Sequence, residues 1–119
     1  MSQPTLLEAI ASRRLVCDGG MGTQLMLAGL EQGASGEAWN ITHPERVLEI
    51  QKRYADAGAD CIISNTFGAS RLMLKRHGVA DDLVSINAAA ARIAREAFGG
   101  REGYVLGDMG PLGAILEPY

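Results

Sequence analysis

Three short polar clusters hold most of the reactive chemistry in this chain. Asp18-Gly19-Gly20, Ser64-Asn65-Thr66 and Gly107-Asp108 each follow directly on an apolar run. Together they offer two carboxylates, an amide, two hydroxyls and backbone amides left open by glycine. Asp18 or Asp108 would suit an ammonium group, and open backbone amides would suit a carboxylate. The set therefore matches a small zwitterion or polar metabolite. Each cluster also has a plain structural use: Asp18 as a helix cap, Asn65 and Thr66 as turn formers, Asp108 as a turn residue before Met109-Gly110-Pro111. Their convergence at equivalent positions is what favours a ligand site.

Other chemistries are less well provided. Gly20-x-Gly22 opens a dinucleotide fingerprint, but Leu25 stands where its last glycine belongs, and no GxxxxGK[ST] loop occurs. Asp18 beside the turn would also repel a phosphate. Cys17 and Cys61 form neither a CxxC pair nor a disulfide framework. With Cys17 at the end of one strand and Cys61 at the start of the next, they are expected roughly 7 to 10 Å apart along the strand direction. That is too far to share a zinc ion, and both read as structural thiols. His43 and His77 are expected at a helix start and a helix end. Trp39 is expected to pack on a neighbouring helix or to wall the ligand site.

The elements that must position these groups follow from periodicity. Residues 5 to 13 read as a short amphipathic helix, and Arg14-Leu15-Val16-Cys17 as a buried strand stopped by Asp18-Gly19-Gly20. A helical turn or two over residues 21 to 29 leads into a loop from Glu31 to Asn40. Thr42 and Glu45 have capping-box spacing at the start of a helix that Gly58 stops. Cys61-Ile62-Ile63 is a second strand, followed by a short helix over 69 to 76 and a stronger one from Asp81-Asp82 to Gly99-Gly100. Tyr104-Val105-Leu106 is the third strand. Apolar runs separated by helices indicate parallel strands covered on both faces, whose carboxyl ends form the binding edge.

Composition narrows the class further. The chain has 119 residues, 47% hydrophobic and 21% charged, with a formal charge of −3, which suits a globular protein. Its scattered Lys and Arg give no footprint for nucleic acid. No apolar run approaches the roughly 18 to 20 residues that span a bilayer. The first residues do not form a signal peptide, because Arg13 and Arg14 follow the apolar stretch and Glu8 interrupts it. A cytoplasmic setting is the expectation.

Asp18-Gly19-Gly20-Met21-Gly22-Thr23, Ala57-Gly58-Ala59-Asp60, Asn65-Thr66-Phe67-Gly68-Ala69-Ser70 and Gly107-Asp108-Met109-Gly110-Pro111 occur in one register. In that combination the chain resembles the homocysteine S-methyltransferase family. The run Arg71 to Val79 is most similar to the homocysteine-binding module of cobalamin-dependent methionine synthases. The resemblance implies a (β/α)₈ barrel that holds homocysteine at the strand carboxyl ends and activates its thiol on zinc for methyl transfer. Asp18, Gly19 and Gly20 would hold the amino-acid end of homocysteine, with Asn65, Thr66 and Asp108 lining the same mouth. The family takes its zinc from a Cys and a distant Cys-Cys pair; neither Cys17 nor Cys61 matches those positions, so no metal ligand is assigned.

Strand starts near 15, 61 and 104 lie about 45 residues apart, more than the roughly 30 residues of a minimal βαβ unit. Three strands therefore fill this length, whereas an eight-stranded barrel takes about 250 residues. Residues 1–119 read as the N-terminal three βα units of such a barrel, an incomplete domain ending at Glu117-Pro118-Tyr119. The implied activity is methyltransferase, with cobalamin as a methyl donor and further domains or a corrinoid protein as partners. The chain alone is expected to lack zinc ligands and activity. Two alternatives remain: a non-catalytic small-ligand or assembly module, and a corrinoid-linked methyltransferase for another methylated substrate.

Overall fold

A computed structural model describes residues 3–115. Its elements are α1 (Leu6–Ser12), α2 (Gly22–Leu27), α3 (Trp39–Thr42), α4 (Pro44–Asp56), β1 (Cys61–Ile63), α5 (Arg71–Arg76), a 3₁₀ turn (Ala80–Asp82), α6 (Leu83–Glu96) and β2 (Tyr104–Leu106). β1 and β2 pair in parallel, with Cys61 opposite Tyr104, Ile62 opposite Val105 and Ile63 opposite Leu106. The crossover between them runs through α5 and α6, as a parallel pair requires.

Alternation along the strands sorts their side chains to two faces. Ile62 and Val105 point to the helices, where Ile62 packs with Ala55 of α4, and with Ala94 and Phe98 at the end of α6. Cys61, Tyr104 and Leu106 face the other way, onto Ala9 and Leu6 of α1 and onto Leu15. α6 buries Ile86, Ala89, Ala90, Ile93 and Ala94. Three of those five, Ala89, Ala90 and Ala94, are small, which lets the helix lie close against α3 and α4. Leu25, Trp39, Val47 and Ile50 complete that core.

The N-terminal segment is tied down by side chains. A capping box closes α1: the Thr5 hydroxyl accepts from the Glu8 amide at 3.3 Å, and the Glu8 carboxylate accepts from the Thr5 amide at 2.8 Å. Gln3 exchanges two 2.8 Å hydrogen bonds with the backbone of Gly103, just before β2. The Tyr104 hydroxyl donates to the Pro4 carbonyl at 2.6 Å.

Three expectations are corrected. The run Arg14–Cys17 is not a full strand; only Cys17 bridges to Cys61. The Val16 amide instead donates to the Asp60 carboxylate at 2.9 Å, while the Val16 carbonyl takes both the Asp60 and Cys61 amides. A side chain thus replaces the next rung of the ladder. Second, Cys17 and Cys61 are not offset along the strands but stand opposite each other, because this segment reaches the sheet only at its last residue. Third, Thr42 does not cap α4. A buried Trp39 starts an extra helical turn, α3, and the Thr42 hydroxyl bonds back to the Ala38 carbonyl at 3.1 Å. His43 takes the cap position, with Pro44 at the first helical residue. The loop expected over 31–40 accordingly ends two residues early, at Ala38. The closing Glu117-Pro118-Tyr119 lies outside the described residues.

Ile62 is fully buried at the centre of the sheet's helix-covered face. Ile62→Ala is expected to destabilise the chain by about 2–5 kcal/mol through lost transfer energy and a cavity. Urea unfolding, with the denaturant slope unchanged, measures this.

Candidate functional site

The carboxyl ends of β1 and β2, together with the segment after Cys17, meet at one edge of the molecule. A cleft of about 130 Å³ opens there, lined by Asp18, Gly19, Met21, Asn65, Phe67 and Asp108, among others. It adjoins a larger hollow of about 490 Å³ that shares Met21, Asn65, Phe67 and Asp108 and extends over Leu25, Leu30 and Glu37. A mostly apolar recess with a few polar groups at its edge suits a small amphiphilic metabolite.

Backbone geometry places Asp18. Its amide donates to the Cys61 carbonyl at 3.0 Å, and its Oδ2 accepts from the Ile63 amide at 3.2 Å. The other carboxylate oxygen, Oδ1, is buried without a hydrogen-bond partner. Burial raises the Asp18 pKa above its ordinary 3.8, the Ile63 amide opposes the rise, and the charge of Asp108 adds to it. An unpartnered buried acceptor facing a second carboxylate is a strong attractor for a cationic donor.

The two glycines after Asp18 are shaped by α4. Tyr54 donates from its hydroxyl to the Gly20 carbonyl at 2.7 Å. A Cβ on Gly19 would stand 3.0 Å from the Tyr54 ring, so any larger residue would require that ring to shift by a few tenths of an ångström. Among the described residues, the amides of Gly19 and Gly20 meet no hydrogen-bond acceptor. Gly19 lines the cleft; Gly20 sits beside it and faces open space.

Asn65, Thr66 and Asp108 are brought together but spend much of their polarity on one another. The Thr66 hydroxyl donates to the Asp108 carbonyl at 2.7 Å and pairs with the Ser64 hydroxyl at 2.8 Å. Ser64 in turn accepts from the Asp108 amide at 3.2 Å. Asn65 donates to the Gly36 carbonyl at 3.0 Å and to the Asn40 side chain at 2.9 Å. Thr66 therefore clamps the two strand ends from behind, whereas Asn65 and Asp108 line both recesses.

Sequence reasoning missed Glu37 and Asn40. Glu37 accepts from the Gly68 amide at 2.9 Å, holding the Phe67-Gly68 turn against the loop before α3. Asn40, almost fully buried, donates to the Asn65 and Ile86 carbonyls. Their one local signal is polarity beside Trp39 in an otherwise small and apolar stretch. Trp39 packs in the core beneath Arg46, whose guanidinium lies 5.1 Å from the ring centre, and the tryptophan lines neither recess. His43 and His77 occupy helix ends, as their positions predict.

The architecture is of the parallel α/β class, with polar groups gathered at the carboxyl ends of its strands, the edge where such folds place their ligands. The sequence pattern of the family described as homocysteine S-methyltransferase matches residues 15–119. The chain belongs to that family. It is 39% identical over 117 residues to the methionine synthase of Mycobacterium tuberculosis, covering 89% of this chain and 10% of that protein. The methionine synthase of Mycobacterium leprae is 38% identical over the same shares. Among solved structures, the metallated form of the homocysteine methyltransferase MmuM from Escherichia coli superimposes with a TM-score of 0.75 at 23% identity. That match covers 87% of this chain and 40% of MmuM. The oxidised form gives 0.77 at 25% identity, covering 90% and 41%. The chain thus spans about a tenth of the methionine synthases it matches. Among the described residues, no helix is long and apolar enough to cross a membrane.

Because its folded-state pKa is raised, Asp18 contributes stability that is present below its ordinary 3.8 and lost as pH rises through the raised native value. Asp18→Asn is therefore expected to gain stability relative to the parent chain across that window. Paired urea melts at stepped pH test this; a difference that stays constant with pH would show that Asp18 does not titrate as described.

Proposed function

We propose that this chain forms the homocysteine-holding part of a methyltransferase that converts homocysteine to methionine. We further propose that residues 1–119 supply the first three βα units of a (β/α)₈ barrel. Family membership and the likeness to MmuM support the barrel. The observation that carries the substrate is the buried, unpartnered Oδ1 of Asp18 beside Asp108.

In this reading the substrate ammonium sits between the two carboxylates and donates to Asp18 Oδ1. The substrate carboxylate is met by the open amides of Gly19 and Gly20. Asn65 lines the wall between them, and Thr66 holds Asp108 in place through its backbone. The apolar side chains of Met21 and Phe67 flank the methylene and sulfur end. These residues bind and orient; the reaction itself is displacement by the substrate thiol on a methyl carbon. The methyl group would come from a corrinoid-bearing partner or domain, a donor to which no residue here is assigned.

The zinc implied for the family does not fit these residues. Among the described residues, no three His, Cys, Asp or Glu side chains converge on one point. The two thiols stand side by side on the α1 side of Asp18, away from the cleft. No step of the reaction is therefore derived through a metal held by this chain.

Asp18→Asn is expected to weaken homocysteine binding by about 10-fold or more, the cost of a lost charged hydrogen bond. Calorimetric titration of the chain measures it, and an unchanged affinity would remove Asp18 from the site. Metal analysis of the dialysed chain is expected to find far less than one zinc per molecule. One tightly held zinc would overturn the ligand assignment.

A further inference from the structure

The two cysteines have no part in the proposed substrate site, yet the fold sets them together. Cys17 bridges to Cys61 in parallel register. The Cys61 amide donates to the Val16 carbonyl at 3.1 Å, and the Asp18 amide to the Cys61 carbonyl at 3.0 Å, one hydrogen bond on each side of the pair. Paired strands lie about 4.8 Å apart, within the roughly 4.4 to 6.8 Å between Cα atoms that a disulfide spans. Both side chains line one hollow of about 510 Å³ with Leu6, Ile10 and Leu106, so they project from the same face. Both are free thiols, Cys17 exposed and Cys61 buried. Hydrogen bonds from Val16 to Asp60 and Cys61 hold the segment before Cys17 in this register, so the two thiols are kept side by side.

We propose that Cys17 and Cys61 form an oxidisable dithiol that closes into an intramolecular disulfide by exchange with a small disulfide oxidant. In the first step the exposed Cys17 thiolate attacks the oxidant, forming a mixed disulfide and releasing one thiolate. In the second, the Cys61 thiolate attacks Cys17 Sγ, forming the internal bond and releasing the second thiolate. The two cysteine protons pass through solvent to the two released thiols. Two protein thiols are oxidised and one oxidant disulfide is reduced. Burial, with Cys17 alongside, raises the Cys61 pKa above 9.0, so the second step is the slow one. The new bond would fix the segment immediately before Asp18 to β1, coupling the redox state of the pair to the cleft.

The test uses the full chain with oxidised glutathione, followed by acid quench, unfolding, alkylation and mass spectrometry. The expected product is a monomer with no alkylatable thiol, two hydrogens lighter, yielding one cross-linked peptide that contains Cys17 and Cys61. Dithiothreitol restores both thiols. Cys61→Ser is expected to trap glutathione on Cys17, whereas Cys17→Ser leaves Cys61 unmodified until the chain is unfolded. The parent chain decides the matter without either variant. Two persistent free thiols, a stable glutathione adduct at Cys17 with Cys61 still alkylatable, or disulfides only between chains would each overturn the proposal.

Discussion

The position of β1 between two neighbours is the constraint on which the rest of this structure depends. On one side Cys61 bridges Cys17; on the other, the three residues of β1 pair with Tyr104–Leu106. Both carboxylates at the cleft take their places from that strand and the residues just after it. Asp18 is held by the Cys61 carbonyl and the Ile63 amide, and Asp108 by Ser64 and Thr66 just beyond the strand. The strand itself is held by Ile62, buried among Ala55, Ala94 and Phe98. Hydrophobic burial on one face thus sets the register, and the register sets the polar groups at the edge.

The polar side chains lining the cleft differ in how far the fold satisfies them. Asn40, Asn65, Ser64 and Thr66 form a buried network in which donors meet acceptors, the condition under which buried polarity adds rigidity rather than cost. Glu37 extends it by binding the Gly68 amide. A Cβ on Gly110 would collide with the Phe67 carbonyl, so the turns after β1 and β2 touch backbone to backbone. Against this fixed background Asp18 keeps one buried oxygen unpaired. The scaffold hydrogen bonds thus fix the walls of the cleft, while this carboxylate oxygen is left without a partner.

Much of this was legible along the chain. The apolar stripes of α4 and α6 gave those helices, and the change from apolar run to polar cluster marked the strand ends that the structure brings together. What escaped depended on contacts between distant residues. Thr42 has ideal capping-box spacing with Glu45, yet Trp39 buries itself first and draws Thr42 into α3; the box that forms lies at Thr5 and Glu8. Nothing local announces that Glu37 reaches Gly68, or that Asn65 turns its amide to Gly36 and Asn40. The placement of Asp18 and its glycines at the end of an extended segment was readable from the local pattern, whereas the inward turn of the Thr66 hydroxyl to Asp108 was not.

Residue order alone determined the alternation of helices and strands, the parallel arrangement that follows from it, and the family to which the chain belongs, because periodicity and local turn chemistry are properties of short segments. Tertiary structure decided the register. Cys17 and Cys61 illustrate the difference: their positions at the end of one expected strand and the start of the next suggested an offset, but the Asp60 carboxylate occupies the Val16 amide and only the last residue of that segment reaches the sheet. A strand's register is chosen by which side chains its two faces bury and which distant groups take its amides, and no single segment contains both.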